Sequence, residues 1–224
     1  MKRHVAGLCL GLLVLGAFFT GCSKSKPAPV ADTADGAVRL VTEGLADGRP
    51  QVVWHALPAS YQDDITELVH GFAGTMDAEL WNRTFEVVEK ATRVLDEKRD
   101  FILDHPMLAA QMDDRKEAEE AWNAVVDILE IVVQSDLADL DRMKKLDVER
   151  FLTKTGGDLF DGFEALAALS PTGSMPGLDL AEAEATLLSS EGDRARVRVE
   201  IPGQPTEEMD FSRVEGKWIP AEMA

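Results

Sequence analysis

Cysteine is nearly absent from this chain of 224 residues: only Cys9 and Cys22 occur, both close to the start. From residue 23 onward there is no disulfide, no zinc thiolate site and no thiol nucleophile, so the fold has to be held by its apolar core. Basic charge is also scarce, with 23 Lys and Arg against 41 Asp and Glu and a net charge of −18. That balance repels nucleic acid and anionic headgroups, which argues against a nucleic-acid role. Long apolar runs are missing too. The longest, Val5 to Phe19, falls short of the roughly 20 residues that a helix needs to cross a bilayer.

That run has a recognisable setting. Lys2 and Arg3 precede it and small polar residues follow it, which is the three-part layout of an export signal, so residues 1–21 read as a cleaved peptide. At its end Phe19-Thr20-Gly21-Cys22 resembles a bacterial lipobox, with Phe19 where the family favours Leu. The resemblance implies that Cys22 becomes the mature N-terminus and carries a diacylglyceryl thioether and an amide-linked acyl chain. It further implies a lipid-anchored envelope protein. Ser23 stands where Gram-negative families place an inner-membrane retention Asp, which points to the outer membrane, facing the periplasm. An ordinary secretory signal with an incidental cysteine is the competing account. Removing residues 1–21 takes away Lys2 and Arg3 and no acid, leaving 21 basic and 41 acidic residues and a charge of −20. The folded part is therefore expected to stand off the membrane on its tether, residues 22–33, whose Lys24, Lys26, Pro27 and Pro29 favour extended chain.

Residues 34–224 are long enough for a single domain with a substantial core, and the expected class is α+β. In 34–76 three short helices are expected. Val38, Val41 and Leu45 form a stripe closing at Gly48, Pro50 opens a helix with Val53 and Trp54, and Ser60 caps one with Ile65, Leu68, Val69 and Phe72. In 77–169 three longer stripes predict a helical bundle. The first starts at Asp77, carries Trp81, Phe85, Val88, Leu95 and Ile102, and stops at Pro106. The second starts near Asp113 or Asp114, and its wider apolar face predicts a central position. The third runs from about Asp147 to Leu169 with a break or bend at Gly156-Gly157. In 178–224 the period changes. Ala195, Val197, Val199 and Ile201 alternate with Arg194, Arg196, Arg198 and Glu200, and turns at 190–193, 202–205 and Glu215-Gly216 predict an antiparallel meander of about four strands. Its apolar face requires helices against it.

The N-terminal helices and the last hairpin, Val214-Glu215-Gly216-Lys217-Trp218-Ile219, resemble small lipoproteins of the nuclear-transport-factor-two-like, or cystatin-like, superfamily over about residues 35–73 and 183–222. The resemblance implies a cone-shaped pocket between the sheet and the N-terminal helices. The helical stretch 77–169 departs from that plan. Within such a pocket His55 and Tyr61 would supply a general base and a hydrogen-bond donor; the plainer account is a helix-end histidine beside solvated carboxylates. Glu67-x-x-His70 has di-metal spacing but occurs once where two copies are needed, so no metal is expected. His105 before Pro106 reads as a helix C-terminal residue. The row of Arg194, Arg196 and Arg198 reads as cross-strand pairing with Glu207, Glu208 or Asp210 before it reads as an anion site. The tryptophans at 54, 81, 122 and 218 read as core anchors. The expected function is a non-catalytic interaction or structural module, held to the membrane by lipid and meeting an envelope protein, with no cofactor. A ligand-binding or enzymatic pocket is the alternative.

Overall fold

The computed structural model describes residues 30–109, 114–169 and 180–224. The expected export segment, Cys22, most of the expected tether and the turn expected at 170–177 lie outside the described residues. The class is α+β: among the described residues helices fill the stretch from Ala34 to Ala168 and one four-stranded antiparallel sheet follows.

Helix α1, Ala34–Ala46, starts where the Thr33 hydroxyl accepts the Gly36 amide at 3.3 Å and ends ahead of Gly48, whose φ of 67° turns the chain. Helix α2, Gln51–Ala56, follows Pro50 and stops before Pro58. Helix α3, Ala59–Thr75, does not take Ser60 as its cap. Pro58 holds the cap position, its carbonyl accepting from Tyr61 and Gln62, so Ser60 falls in the first turn, where an amide has no partner within the helix. A distant side chain supplies one: Ser60 donates to Glu215 Oε2 at 3.2 Å.

Helix α4, Ala78–Glu97, is capped by Asp77, which accepts the Leu80 amide at 2.8 Å. Its ladder continues through Lys98 into α5, Arg99–Leu103, because the Lys98 amide still reaches Val94 and the Ile102 amide reaches Lys98, both at 2.9 Å. Pro106 then opens the single turn of α6, Pro106–Ala109, where His105 Nδ1 accepts the Met107 amide at 3.3 Å. Helix α7, Arg115–Gln134, is capped by Asp114 and lies between α4 and the helix at Gly157–Ala168, the central position its broad apolar face calls for. Short helices α8, Leu140–Met143, and α9, Val148–Phe151, lead through a π-helical turn at Leu152–Gly156 into α10, Gly157–Ala168. The Gly156-Gly157 break is thus a local widening of one helical run.

Two indole N–H groups tie this bundle together. Trp81 donates to the Leu137 carbonyl and Trp122 to the Leu95 carbonyl, each at 3.0 Å. Trp81 also meets Phe72 edge-on with centroids 5.9 Å apart, above a small core of Ala73, Leu140 and Met143.

Strands β1 (Glu184–Glu191), β2 (Arg194–Glu200), β3 (Glu207–Val214) and β4 (Lys217–Pro220) pair in sequence order. Ala195 faces Phe211 and Val197 faces Met209 in register, and a bulge interrupts β1 between Leu187 and Ser189. Glu215 and Gly216, at φ of 50° and 80°, form the tight turn joining β3 to β4, a geometry that matches strand twist. Helix α1 crosses the inner face and buries Ala34 with Ala185, Ala195, Val197, Phe211 and Trp218. Full burial of each large side chain here contributes about 1.5–3 kcal/mol. The Trp218 indole donates to the Asp32 carbonyl at 3.1 Å, so the lead-in to α1 is fastened to the sheet.

Candidate functional site

His55 closes α2, and that short helix is framed by Pro50 and Pro58, which fix its ends. The ring Nε2 lies 2.9 Å from Glu149 Oε1 on α9, while its backbone carbonyl accepts from Lys217 Nζ of β4 at 2.8 Å. The residue therefore joins three separate elements. The space beside it, bounded by Leu40, His55, Ala56, Lys217 and Trp218, is about 10 Å³. One water needs roughly 10–15 Å³ and a small-molecule site roughly 300–1,000 Å³. Tyr61 does not border that space; its hydroxyl donates to the Met223 carbonyl at 2.6 Å. Gln62 donates to the carbonyls of Trp54 and Leu57 at 2.8 and 3.3 Å, closing the corner between α2 and α3.

His70 Nε2 donates to the Leu146 carbonyl at 2.9 Å, which ties α3 to the loop after α8, and Glu67 is exposed. Among the described residues no group of three or more His, Cys, Asp or Glu side chains is placed to hold a metal ion.

The arginine row lies on the sheet face turned away from α1. Arg196 grips Asp210 bidentately, Nε to Oδ1 at 2.8 Å and Nη2 to Oδ2 at 3.0 Å, and Arg198 meets Glu208 at 2.9 Å. The hydrogen bond from Arg196 holds the Asp210 carboxyl below its ordinary value. Arg194 stands opposite Glu191 on one side and Ser212 on the other. An open hollow of about 700 Å³ lies over Ser189, Arg194, Asp210 and Ser212.

A second concavity, of about 230 Å³, lies where α8 and the π-helical turn meet. Arg142, Lys145, Arg150 and Lys154 line it with Asp136 and Asp147. Its charged groups are exposed, and Arg142 is shared between Asp136 at 3.8 Å and Asp139 at 3.6 Å. No periodicity marks this cluster, because it is assembled from the end of one helix and the start of another.

Glu149 and Glu215 are the partners that sequence reasoning missed. They lie 94 and 155 residues from the groups they bind, and no spacing signal reaches that far. No protein-family model matches this chain, and no curated protein or solved structure is significantly similar to it.

Proposed function

We propose that this protein is a lipid-anchored component of the cell envelope, attached through Cys22 to the outer membrane on its periplasmic side, and that its body is a non-catalytic interaction or structural module. The observation that carries the anchoring is the run from Lys2-Arg3 through Val5–Phe19 to Thr20-Gly21-Cys22. One acyl chain holds a protein to a bilayer only marginally, at about 0.8 kcal/mol per buried methylene, whereas the three implied here hold it permanently. The fold begins close behind the anchor. Asp32, whose carbonyl is fastened to Trp218, is ten residues beyond Cys22, a reach of at most about 36 Å of extended chain.

Support for the non-catalytic reading comes from how the chemically capable side chains are used. His55, Tyr61 and His70 each bond to another part of the protein, and in doing so they join separate elements. The test is mass spectrometry of the chain purified from envelope membranes, alongside a Cys22→Ala variant. The expected results are a triacylated Cys22 as first residue and loss of the variant from the membrane fraction. An unmodified first residue, or a variant that stays in the membrane, overturns the reading.

A further inference from the structure

Four apolar residues on α4 and α5 recur every seven positions and all face solvent: Leu80 is 61% exposed, Val87 64%, Val94 52% and Phe101 76%. Thr84, Ala91 and Lys98 lie between them, completing the alternating three- and four-residue spacing of a coiled-coil seam. The core-facing residues of the same helix, Trp81, Phe85, Val88, Leu95 and Ile102, form a separate stripe, so this helix is apolar on two adjacent faces and among the described residues only one is used within the fold. Backbone hydrogen bonds from Lys98 to Val94 and from Ile102 to Lys98 carry the run across Lys98, whose φ of −106° and ψ of 12° depart from helical values.

Charge says what covers the row. Three residues beyond each seam position stand Arg83, Lys90, Glu97 and Asp104, basic in the first half and acidic in the second. We infer that α4 and α5 pair antiparallel with the same helix of a second copy, about a two-fold axis at Val94. That register sets Val87 against the second copy's Phe101, and it brings Lys90 to the second copy's Glu97 and Arg83 to its Asp104. A two-fold interface repeats each contact, so one pattern satisfies both chains. A parallel pairing would set Arg83, Lys90 and Glu97 against the second copy's Val88, Leu95 and Ile102, residues of the core stripe that offer no opposite charge, and it loses on that ground. The existing partners of these groups are weak competitors. Lys90 reaches Glu86 on its own helix at 3.8 Å, and Arg83 meets Glu79 with both side chains largely exposed, while Asp104 faces Arg115 at 3.2 Å. Ala91 and Thr84 are small enough to let the two backbones approach, and Ala91 falls beside the aliphatic stem of the second copy's Lys98.

The seam from Leu80 to Phe101 is 21 residue steps, about 32 Å. One helix pair of that length buries less than about 1,200 Å² in total, the size of reversible interfaces. The pairing does not use the lipid.

The test uses the full chain in bacterial cells, with Val87→Cys in one tagged copy and Phe101→Cys in a second, under mild oxidation and a non-reducing gel. The unsubstituted chain, with its own cysteines, and a Glu89→Cys chain set the background. The expected result is a cross-link between the two differently tagged chains that exceeds either same-tag product. In that pair Lys90→Glu lowers the yield about fivefold, the effect of turning two exposed attractions into repulsions, and Lys90→Glu with Glu97→Lys restores it. A yield no greater than background, a same-tag product that dominates, or a charge reversal without effect each overturns the inference. A chain folded upon itself at this row, with another of its own segments in place of the second copy, would show as the first of these.

Discussion

Replacing Gly44 by alanine tests the packing that sets α2 against α1. A Cβ there would sit 2.4 Å from Val52 Cγ1, 2.7 Å from Cγ2 and 2.9 Å from Cβ, where carbon atoms prefer 3.5–4.0 Å. Rotating Val52 offers no escape, because its Cβ is itself too close and both methyl branches lie on the same side. Helix α2 must move as a body, and it is held by the Arg49 amide donating to the Gly44 carbonyl at 2.9 Å. Overpacking of this kind costs about 1–3 kcal/mol. Alanine offsets up to about 1 kcal/mol of that through its better helix propensity, less so this near a helix end. The expected net loss is about 1–2 kcal/mol, or roughly 3–6 °C in Tm for a domain of this size. Val52→Ala alone removes two methyl groups and costs about 1.6 kcal/mol before any cavity contribution. In that background the 2.4 and 2.7 Å contacts are gone and only the 2.9 Å contact to the Cβ at position 52 remains, so Gly44→Ala should cost clearly less, a coupling of about 1 kcal/mol between the sites. Equilibrium urea unfolding followed by far-UV circular dichroism measures all four corners of the cycle. A gain in stability from Gly44→Ala alone, or the same effect in both backgrounds, would show that the helices do not approach as described.

Asp35 gives the acid response of the N-terminal unit a sign. Burial pushes its carboxyl up, but the Thr33 hydroxyl and the Arg39 guanidinium outweigh burial and hold it below the ordinary 3.8. Its contribution is complete above that value and is lost as pH falls through the lower folded value, so Asp35→Asn should destabilise at neutral pH and flatten the Tm curve below about pH 4. Glu215→Ala should unprotect the Ser60 amide in hydrogen exchange and lower Tm, since the Ser60 side chain and amide are what hold the Glu215 carboxyl below its ordinary value; unchanged exchange at Ser60 would contradict the cap. Trp122→Phe keeps a benzene ring but removes the pyrrole ring and with it the donor to Leu95, with an expected cost by urea unfolding of about 1 kcal/mol for the hydrogen bond and more for the space left.

Much of the architecture was legible along the chain because its signals are local. Asp77 announced one helix, and Asp113 or Asp114 the next, where the structure takes Asp114, since a carboxylate one residue ahead of a helix meets amides three positions or fewer away. The arginine row was read as cross-strand pairing, and Arg196 and Arg198 meet Asp210 and Glu208, because strand alternation fixes which side chains share a face. The cap at Ser60 was misplaced because Pro58 and Ser60, two residues apart, both suit a helix start, and the choice depends on which carbonyl closes the first turn. His55 and Tyr61 were grouped by proximity in sequence. The fold sends one to Glu149 and the other to Met223.

By itself the sequence determined the helical and strand segments, the order of the meander and the acidic character of the surface, since periodicity, caps and charge are properties of neighbouring residues. Only the tertiary structure decided how little space remains beside His55, that Glu215 completes α3 from 155 residues away, and that a second apolar row of α4, Leu80, Val87 and Val94, stays in solvent. The row read from sequence as the bundle face, Trp81 to Ile102, is the buried one, but a shared helical period does not say whether the second row is covered as well. The choice rests on whether α7, Trp122 and the turn at Leu137 fill one side and leave the other open, and that is a matter of volume and long-range contact.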